Sequence, residues 1–345
     1  ESITKKDRIQ RVLLKTDGDF GFETWATVPP VTAWAIKEEV TNVESAARLL
    51  KHNFGDPASL RINDQNFTEN LFYWVDKELL TIFDIDMVQG SSTGALDRPG
   101  TVILSERAAQ TYFGNENPIG QTIVVDNNRE LEVTGIYKDF PKNSTLDADI
   151  MASSNGYWFY DRKSWSNASF ETYCLLKENV SVEATQQQID QMLEANVDKE
   201  EQWYTFGLQS LENVHLYSAS FASGYASRIG DINEVRNLTY LAILILLIAC
   251  INYMNLTTAR SQKRSKEVGI SKTLGASSKS LVWRFYLEAG LITAISIVFG
   301  IVLTISLLPG FNALTNQSLT IDLLLTPTFL LAALGIWAVE KSAFL

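Results

Sequence analysis

Cysteine and histidine are scarce: the 345 residues contain two of each. Cys174 lies in a strand-like stretch and Cys250 in an apolar run, and no C-x-x-C occurs. Neither a disulfide framework nor a thiolate metal site is therefore expected. His52 and His215 are isolated in the sequence and read as structural or surface residues. The chain has no H-E-x-x-H and no G-x-x-x-x-G-K-[ST]. Those absences remove the usual local signatures of zinc proteases and P-loop nucleotide binding. A lone serine or aspartate beside one histidine makes no triad without geometry. Asp84 and Asp86 have no third and fourth ligand nearby and read as a solvated edge. The expectation is a chain with no catalytic site, no metal and no cofactor of its own.

Charge is also missing, but only from one end. Residues 1–236 hold 21 Lys+Arg and 36 Asp+Glu, a net of −15. Residues 237–345 hold 8 and 4, a net of +4. Three runs carry no charge at all: 237–259, 289–321 and 323–339. A helix crosses a bilayer with about 20 apolar residues. The spans are placed at about 237–259, 287–308 and 323–339, with a turn at Leu308-Pro309-Gly310.

Between the first two runs, 260–284 carries seven basic residues and a single acid, Glu267. Short basic loops stay in the cytoplasm. The acidic part, 1–236, is then extracytoplasmic. It starts at Glu1 and has no leader, so the sequence reads as a piece of a longer chain with an earlier transmembrane helix.

Within 1–236 the periodicity is mixed. Strands are expected at 7–14, 44–54, 67–75, 101–104, 170–176 and 203–211. Pro29-Pro30 opens a helix to about residue 40. Ser105 caps a helix over 106–113 that stops at Gly114. Segments 121–125 and 131–137 form a hairpin around 126–129. A helix over 182–197 places Ile189, Met192, Leu193 and Val197 on one face. The order βαβ, strand-rich insertion, βαβ predicts an α+β extracytoplasmic domain of two βαβ-type lobes with an inserted strand-rich subdomain. An α-helical transmembrane domain follows at 237–345. The aromatic run Tyr157-Trp158-Phe159-Tyr160 reads as core packing or an intersubunit contact rather than a substrate site.

The most informative stretch is 260–285, RSQKRSKEVGISKTLGASSKSLVWRF. Val268, Ile270 and Leu274 are expected to line part of one helical face. Gly275 is placed as the residue just past a helix end. Ser277 or Ser278 caps the next helix. A basic loop that only touches anionic lipid would explain the charges but not the order EVG…LGA.

Residues 267–276, EVGISKTLGA, resemble the cytoplasmic signature of FtsX-like permeases, E-[IV]-G-[IL]-x-[RK]-x-[LM]-G-A. Ser271 stands where relatives usually carry a basic residue. Residues 102–109 (VILSERAA), 113–120 (FGNENPIG) and 133–141 (VTGIYKDFP) resemble a MacB-like periplasmic core. Ser144-Thr145 replaces a Ser-His common in relatives, and 340–345 departs from the family's ending.

The resemblance implies a multi-pass permease of an ABC transporter in the bacterial plasma (inner) membrane. Glu267, Val268, Gly269, Lys272, Leu274, Gly275 and Ala276 would dock on a cytoplasmic ATP-binding subunit, which holds the ATP and Mg. Further partners implied are a second permease half (a homodimer or a fused repeat), a periplasmic adaptor and membrane lipid; no nucleic acid is expected. The mechanism expected is a lever that moves the external domain, for export or extrusion of a substrate. Two alternatives are a non-transporting regulator of an envelope enzyme or sensor kinase, and a membrane-anchored binding domain.

Overall fold

The computed structural model describes residues 5–18, 21–141, 144–226, 228–315, 319–322 and 326–327. The third apolar run, 323–339, lies outside them apart from Thr326 and Pro327, as does 340–345. The chain divides into two compact units, Glu1–Asn237 and Leu238–Leu345.

In chain order the first unit runs β1 (Ile9–Lys15), β2 (Thr24–Trp25), α1 (Thr32–Glu39), β3 (Val43–Lys51), β4 (Ala58–Ile62), β5 (Gln65–Glu69), β6 (Phe72–Val75), α2 (Glu78–Ile82) and β7 (Met87–Gln89). It continues with β8 (Thr101–Ser105), α3 (Glu106–Phe113), β9 (Thr122–Val125), β10 (Arg129–Tyr137), β11 (Ile150–Ser153), β12 (Glu171–Leu176), α4 (Val182–Asn196), β13 (Thr205–Ser210) and α5 (Leu211–Val214). One sheet joins the strands in the order β13-β1-β12-β3-β6-β11-β8-β10-β9-β4-β5, with β2 on β1 and β7 on β10.

The strands β13, β1, β12 and β3 are antiparallel neighbours. So β1-α1-β3 and β12-α4-β13 are two βαβ units, each straddling a strand of the other. That is the split βαβ, ferredoxin-like arrangement. The expectation of two βαβ lobes is corrected here: the two units interleave into one sheet, because each crossover helix leaves a strand-wide gap that the other unit fills. The second lobe is the insertion itself, 52–170, which extends the sheet from β3 through β6.

Strand β6 shows why the insertion stays attached. Its four residues, Phe-Tyr-Trp-Val, are all buried. Phe72 and Trp74 enter a core with Leu60, Val102, Ile123 and Val133. Tyr73 and Val75 point the other way, to Leu49, Ile103, Met151 and the α2 residues Leu79 and Leu80. A third core, Val12, Leu14, Ile36, Ile189, Met192, Leu193 and Phe206, fills the ferredoxin-like lobe. Val197 only packs against its edge.

Local signals explain several ends. Ser105 Oγ accepts from the Ala108 amide at 3.0 Å, and Gly114 ends α3 at φ +58. Asp126 and Asn127 adopt positive φ in the β9–β10 hairpin, as Asp and Asn tolerate. Two expected strands are revised. Strand β3 ends at Lys51, where Asn53 and Phe54 turn left-handed. The run 67–75 breaks at Asn70-Leu71 into β5 and β6, with Glu69 Oε1 accepting from the Leu71 amide at 2.6 Å. His52 is structural, as expected: Trp74 donates to its Nδ1 at 3.1 Å and its Nε2 meets Asp126 at 2.8 Å.

Cys174 lies fully buried on β12, and burial pushes its thiol up to about 12. Keeping the thiol protonated therefore stabilises the fold below its ordinary value of 9.0, and this contribution is lost as pH rises from there toward about 12. Iodoacetamide at pH 8 is expected to leave Cys174 unmodified in the native protein and to label it in urea, read by peptide mass mapping.

The second unit contains most of α6 (Ile232–Thr273), which begins in the first unit, and all of α7 (Ser278–Thr315). Ile232–Leu256 and Gly290–Ala313 are long and apolar enough to cross a membrane, with mean hydropathy 1.9 and 2.6. The helix expected within 260–284 is continuous with the first apolar run, because α6 continues to Thr273. Its sequence after Ala259 is rich in Arg, Lys, Gln and Glu, all strong helix formers. Helix α7 also passes through Pro309 instead of turning there. Proline removes one N–H from a helix, and apolar spans tolerate this. Asn312 then closes the end, bonding both the amide and the carbonyl of Leu319, at 3.1 and 2.9 Å.

Candidate functional site

The candidate site is the corner where α6 turns into α7. Leu274 donates to Ile270 at 3.1 Å, and Gly275 to Lys272 at 3.1 Å. The Ala276 amide reaches back to the Ser271 carbonyl at 3.0 Å. The last two bonds are the paired closure of a Schellman end, with Gly275 in the left-handed position at φ +90. Two residues later Ser277 Oγ accepts from the Ser280 amide at 3.3 Å and so caps α7. Both helix ends are satisfied within seven residues, which makes the corner a rigid one.

Two apolar side chains of this corner are bare. Leu274 is 82% exposed and Ile270 55%. Glu267, Ile270 and Leu274 stand at i, i+3 and i+7, on one face. Val268 does not join them: at about 100° per residue it lies on the opposite flank, half-buried like Ser271 and Ala276. The sequence reading that put Val268 with Ile270 and Leu274 is corrected by this geometry. Glu267, Gly269, Lys272 and Gly275 are all exposed. Neither Glu267 nor Lys272 has an ion-pair partner among the described residues.

Gly269 is the most telling residue of the corner. It sits inside α6 with nothing within 4 Å of where a Cβ would be. A helix-interior glycine costs about 1 kcal/mol relative to alanine. No contact among the described residues accounts for it, so it leaves a strip of helix backbone uncovered on the outside. Just beyond, Trp283 is 64% exposed on α7 beside Arg284, a pairing suited to the headgroup level of a bilayer.

Before α6 the first unit ends in a strap, 215–226 and 228–231, that is fastened across its own sheet. Ala222 pairs with Thr24 and Ala26. Ser218 and Tyr225 join a buried network around Arg11 and Glu171. Arg228 bonds Asp147 at 2.6 Å. The strap thereby touches both lobes. None of these residues stood out in the sequence, because Arg11 and Glu171 lie far apart along the chain.

Among the described residues no cluster of His, Cys, Asp or Glu is arranged to hold a metal. Asp84 is paired with Lys5 at 2.9 Å.

Both units are similar to known proteins. Residues 1–192 match the MacB-like periplasmic core domain, and residues 240–339 match the FtsX-like permease C-terminal domain. The macrolide export ATP-binding/permease protein MacB of Aggregatibacter actinomycetemcomitans is 22% identical over 260 residues, 73% of this chain and 37% of that protein. The ABC transporter permease YknZ of Bacillus subtilis is 21% identical over 224 residues, 64% of this chain and 50% of that protein. The chain thus matches half or less of these relatives' length. A crystallised domain of a permease protein from Porphyromonas gingivalis is 21% identical with a TM-score of 0.51, covering 60% of this chain and 92% of that one. That likeness extends to the fold.

Proposed function

Since the chain belongs to the family that joins a MacB-like periplasmic core domain to an FtsX-like permease domain, we propose that it is the permease subunit of an ABC transporter. It carries no catalytic site in this reading. ATP and Mg are bound by a cytoplasmic partner, and the chain works in the inner membrane as a multi-pass protein beside a second permease half. Export or extrusion of a substrate is the task this reading assigns.

The observation that carries the proposal is the corner at Glu267–Ala276: rigid, exposed, with Ile270 and Leu274 bare beside Glu267 and the helix stripped to backbone at Gly269. Such a surface suits a groove on a partner better than it suits water. The mechanism is a lever. A partner that closes on ATP pushes the corner. Helix α6 has 42 residues and is ~63 Å long at about 1.5 Å per residue. It carries the displacement as a rigid element to the strap, and the strap passes it to the external sheet. Coupling of this kind needs an element with two positions and no polar path through the bilayer. The charge-free runs fit that requirement.

Co-purification with the ATP-binding subunit tests the proposal. Wild-type protein is expected to bring it down. A Gly269→Arg plus Leu274→Asp variant is expected to lose it while remaining inserted and folded. Capture that is equal for both proteins would remove the corner from the contact. Absence of any ATPase on folded wild-type protein would favour an anchored binding domain instead. With the ATPase bound, external-domain distances measured by spin labels should change on ATP addition; unchanged distances would sink the lever.

A further inference from the structure

The external unit has a recess of about 340 Å³ where its two lobes meet. Helix α1 forms one wall, with Trp34 and Lys37. The corner between β6 and α2 forms the other, and the segment 160–163 makes the rim. The floor is closed and polar. Arg48 grips Asp76 with two bonds, at 2.8 and 3.1 Å, and donates to the Pro30 carbonyl at 3.1 Å. Asp76 also accepts from Ser154 Oγ at 2.5 Å. Arg48, Asp76 and Ser154 are all nine-tenths or more buried. On the walls Lys37 pairs with Glu78 at 2.8 Å, and Lys77 with Asp97 at 3.1 Å.

Those three pairs leave Arg162 and Lys163 over. Neither meets a carboxylate among the described residues. Each rests on an indole ring instead: Arg162 lies 5.7 Å from the Trp158 centroid, and Lys163 Nζ 4.1 Å from that of Trp34. Asp161 is the one lining acid with no ion pair among the described residues. Five basic and four acidic residues line the recess. In a domain of net charge −15, that local sign is reversed. Trp34 is 45% exposed and Tyr160 38%, two aromatic rings on the lining.

We propose that this recess binds a small organic anion with a flat apolar body. The anionic group is held by Lys163 and Arg162, and the body lies against Trp34 and Tyr160. An organic cation is disfavoured, since five of the nine charged residues on the lining are basic. The volume is at the lower end of the ~300–1,000 Å³ typical of small-molecule sites, which concentrate at domain junctions. Both lobes supply contacts, so a bound anion bridges them. The inference does not depend on the transporter reading.

The test uses full-length protein in zwitterionic-lipid nanodiscs, titrated calorimetrically with naphthalene-2-sulfonate. Naphthalen-2-ylmethylammonium is the charge-reversed control. Saturable binding of the sulfonate is expected, weakened roughly tenfold or more for the ammonium probe, a gap of about 1.4 kcal/mol. Lys163→Glu and Trp34→Ala should each cost the sulfonate a similar factor while leaving the circular dichroism spectrum and thermal midpoint in place. Raising salt should weaken the sulfonate too, because the cations are partly exposed. No saturable sulfonate binding, equal affinity for the two probes, or binding unchanged in both variants would each overturn the proposal.

Discussion

Replacing Glu171 with alanine is expected to lower the stability of the external unit by about 3–5 kcal/mol, the usual loss when one partner of a buried ion pair is removed. Arg11 is 0% exposed and Glu171 1%. The Arg11 Nη1–Glu171 Oε1 distance is 3.7 Å, and Nη1 has no hydrogen-bond acceptor of its own. The other guanidinium nitrogens donate to Gln209 Oε1 at 3.2 and 2.7 Å, and one also reaches Ser218 at 2.7 Å. Glu171 in turn accepts from Tyr173 at 2.8 Å and from the Tyr225 amide at 2.5 Å. Burial pushes the Tyr173 hydroxyl well above its ordinary value, so it stays protonated as a donor. Without the carboxylate, a cation in the core keeps only neutral partners, and two donors lose theirs.

Urea titration of tryptophan fluorescence reads the loss. The Arg11→Met plus Glu171→Leu double variant should recover most of it, because no charge is then left buried. A loss below about 1 kcal/mol for Glu171→Ala would mean that water reaches the pair and that the strap is held by other means.

Phe159→Ala is expected to cost a further large amount, about 3–5 kcal/mol, as a cavity left in a closed core. Phe159 is 0% exposed. Its ring lies 4.7 Å from Phe170 and 5.2 Å from Tyr157, and the Arg48 guanidinium lies 5.5 Å from its centroid. Its neighbour Trp158 is 46% exposed, so Trp158→Ala should stay within about 1 kcal/mol. The two variants divide the aromatic run that the sequence presents as one feature. Tyr157 stacks on Trp74 at 4.0 Å and belongs with the core; Trp158 and Tyr160 belong to the surface. Equal losses for the two variants would contradict that division.

Signals spent within a few residues were legible in the sequence. Ser105 and Gly114 bracket α3 because capping is local. Ser277 and Gly275 bracket the corner for the same reason. The chain order of βαβ, insertion and βαβ was also readable. What pairs with what was not. The interleaving of β1, β12, β3 and β13 depends on contacts between residues such as Ile9 and Leu175. The β4–β5 hairpin did leave a signal, Asn63-Asp64 between two alternating runs, both at positive φ. It was obscured by reading 67–75 as one strand. Helix α2 has five residues, too few for a 3.6-residue period to show.

At the candidate site the residue types and the turn were legible, while the flank on which Val268 lies needed the helix phase. The interlobe recess left no local trace. Arg48 and Asp76 are separated by a whole hairpin, and Lys163 meets Trp34 only through the fold.

The position of β1 sets the order in which the external unit can be assembled. Its two long neighbours arrive late: Ile9 pairs with Leu175, and Gln10 with Cys174 and Ser210, while the two-residue β2 reaches only Leu14 and Lys15. Nearly the whole unit must be made before the rest of β1 has an edge to join. The insertion, by contrast, closes its β4–β5 and β9–β10 hairpins from near neighbours. Its lobe is therefore the part able to form while the chain is still emerging, with β1 held open as an apolar strand until β12 and β13 arrive. Pairings this distant are slow to form and leave strand edges exposed meanwhile. Residues 9–13 are the segment of the sheet whose partners lie furthest ahead in the chain.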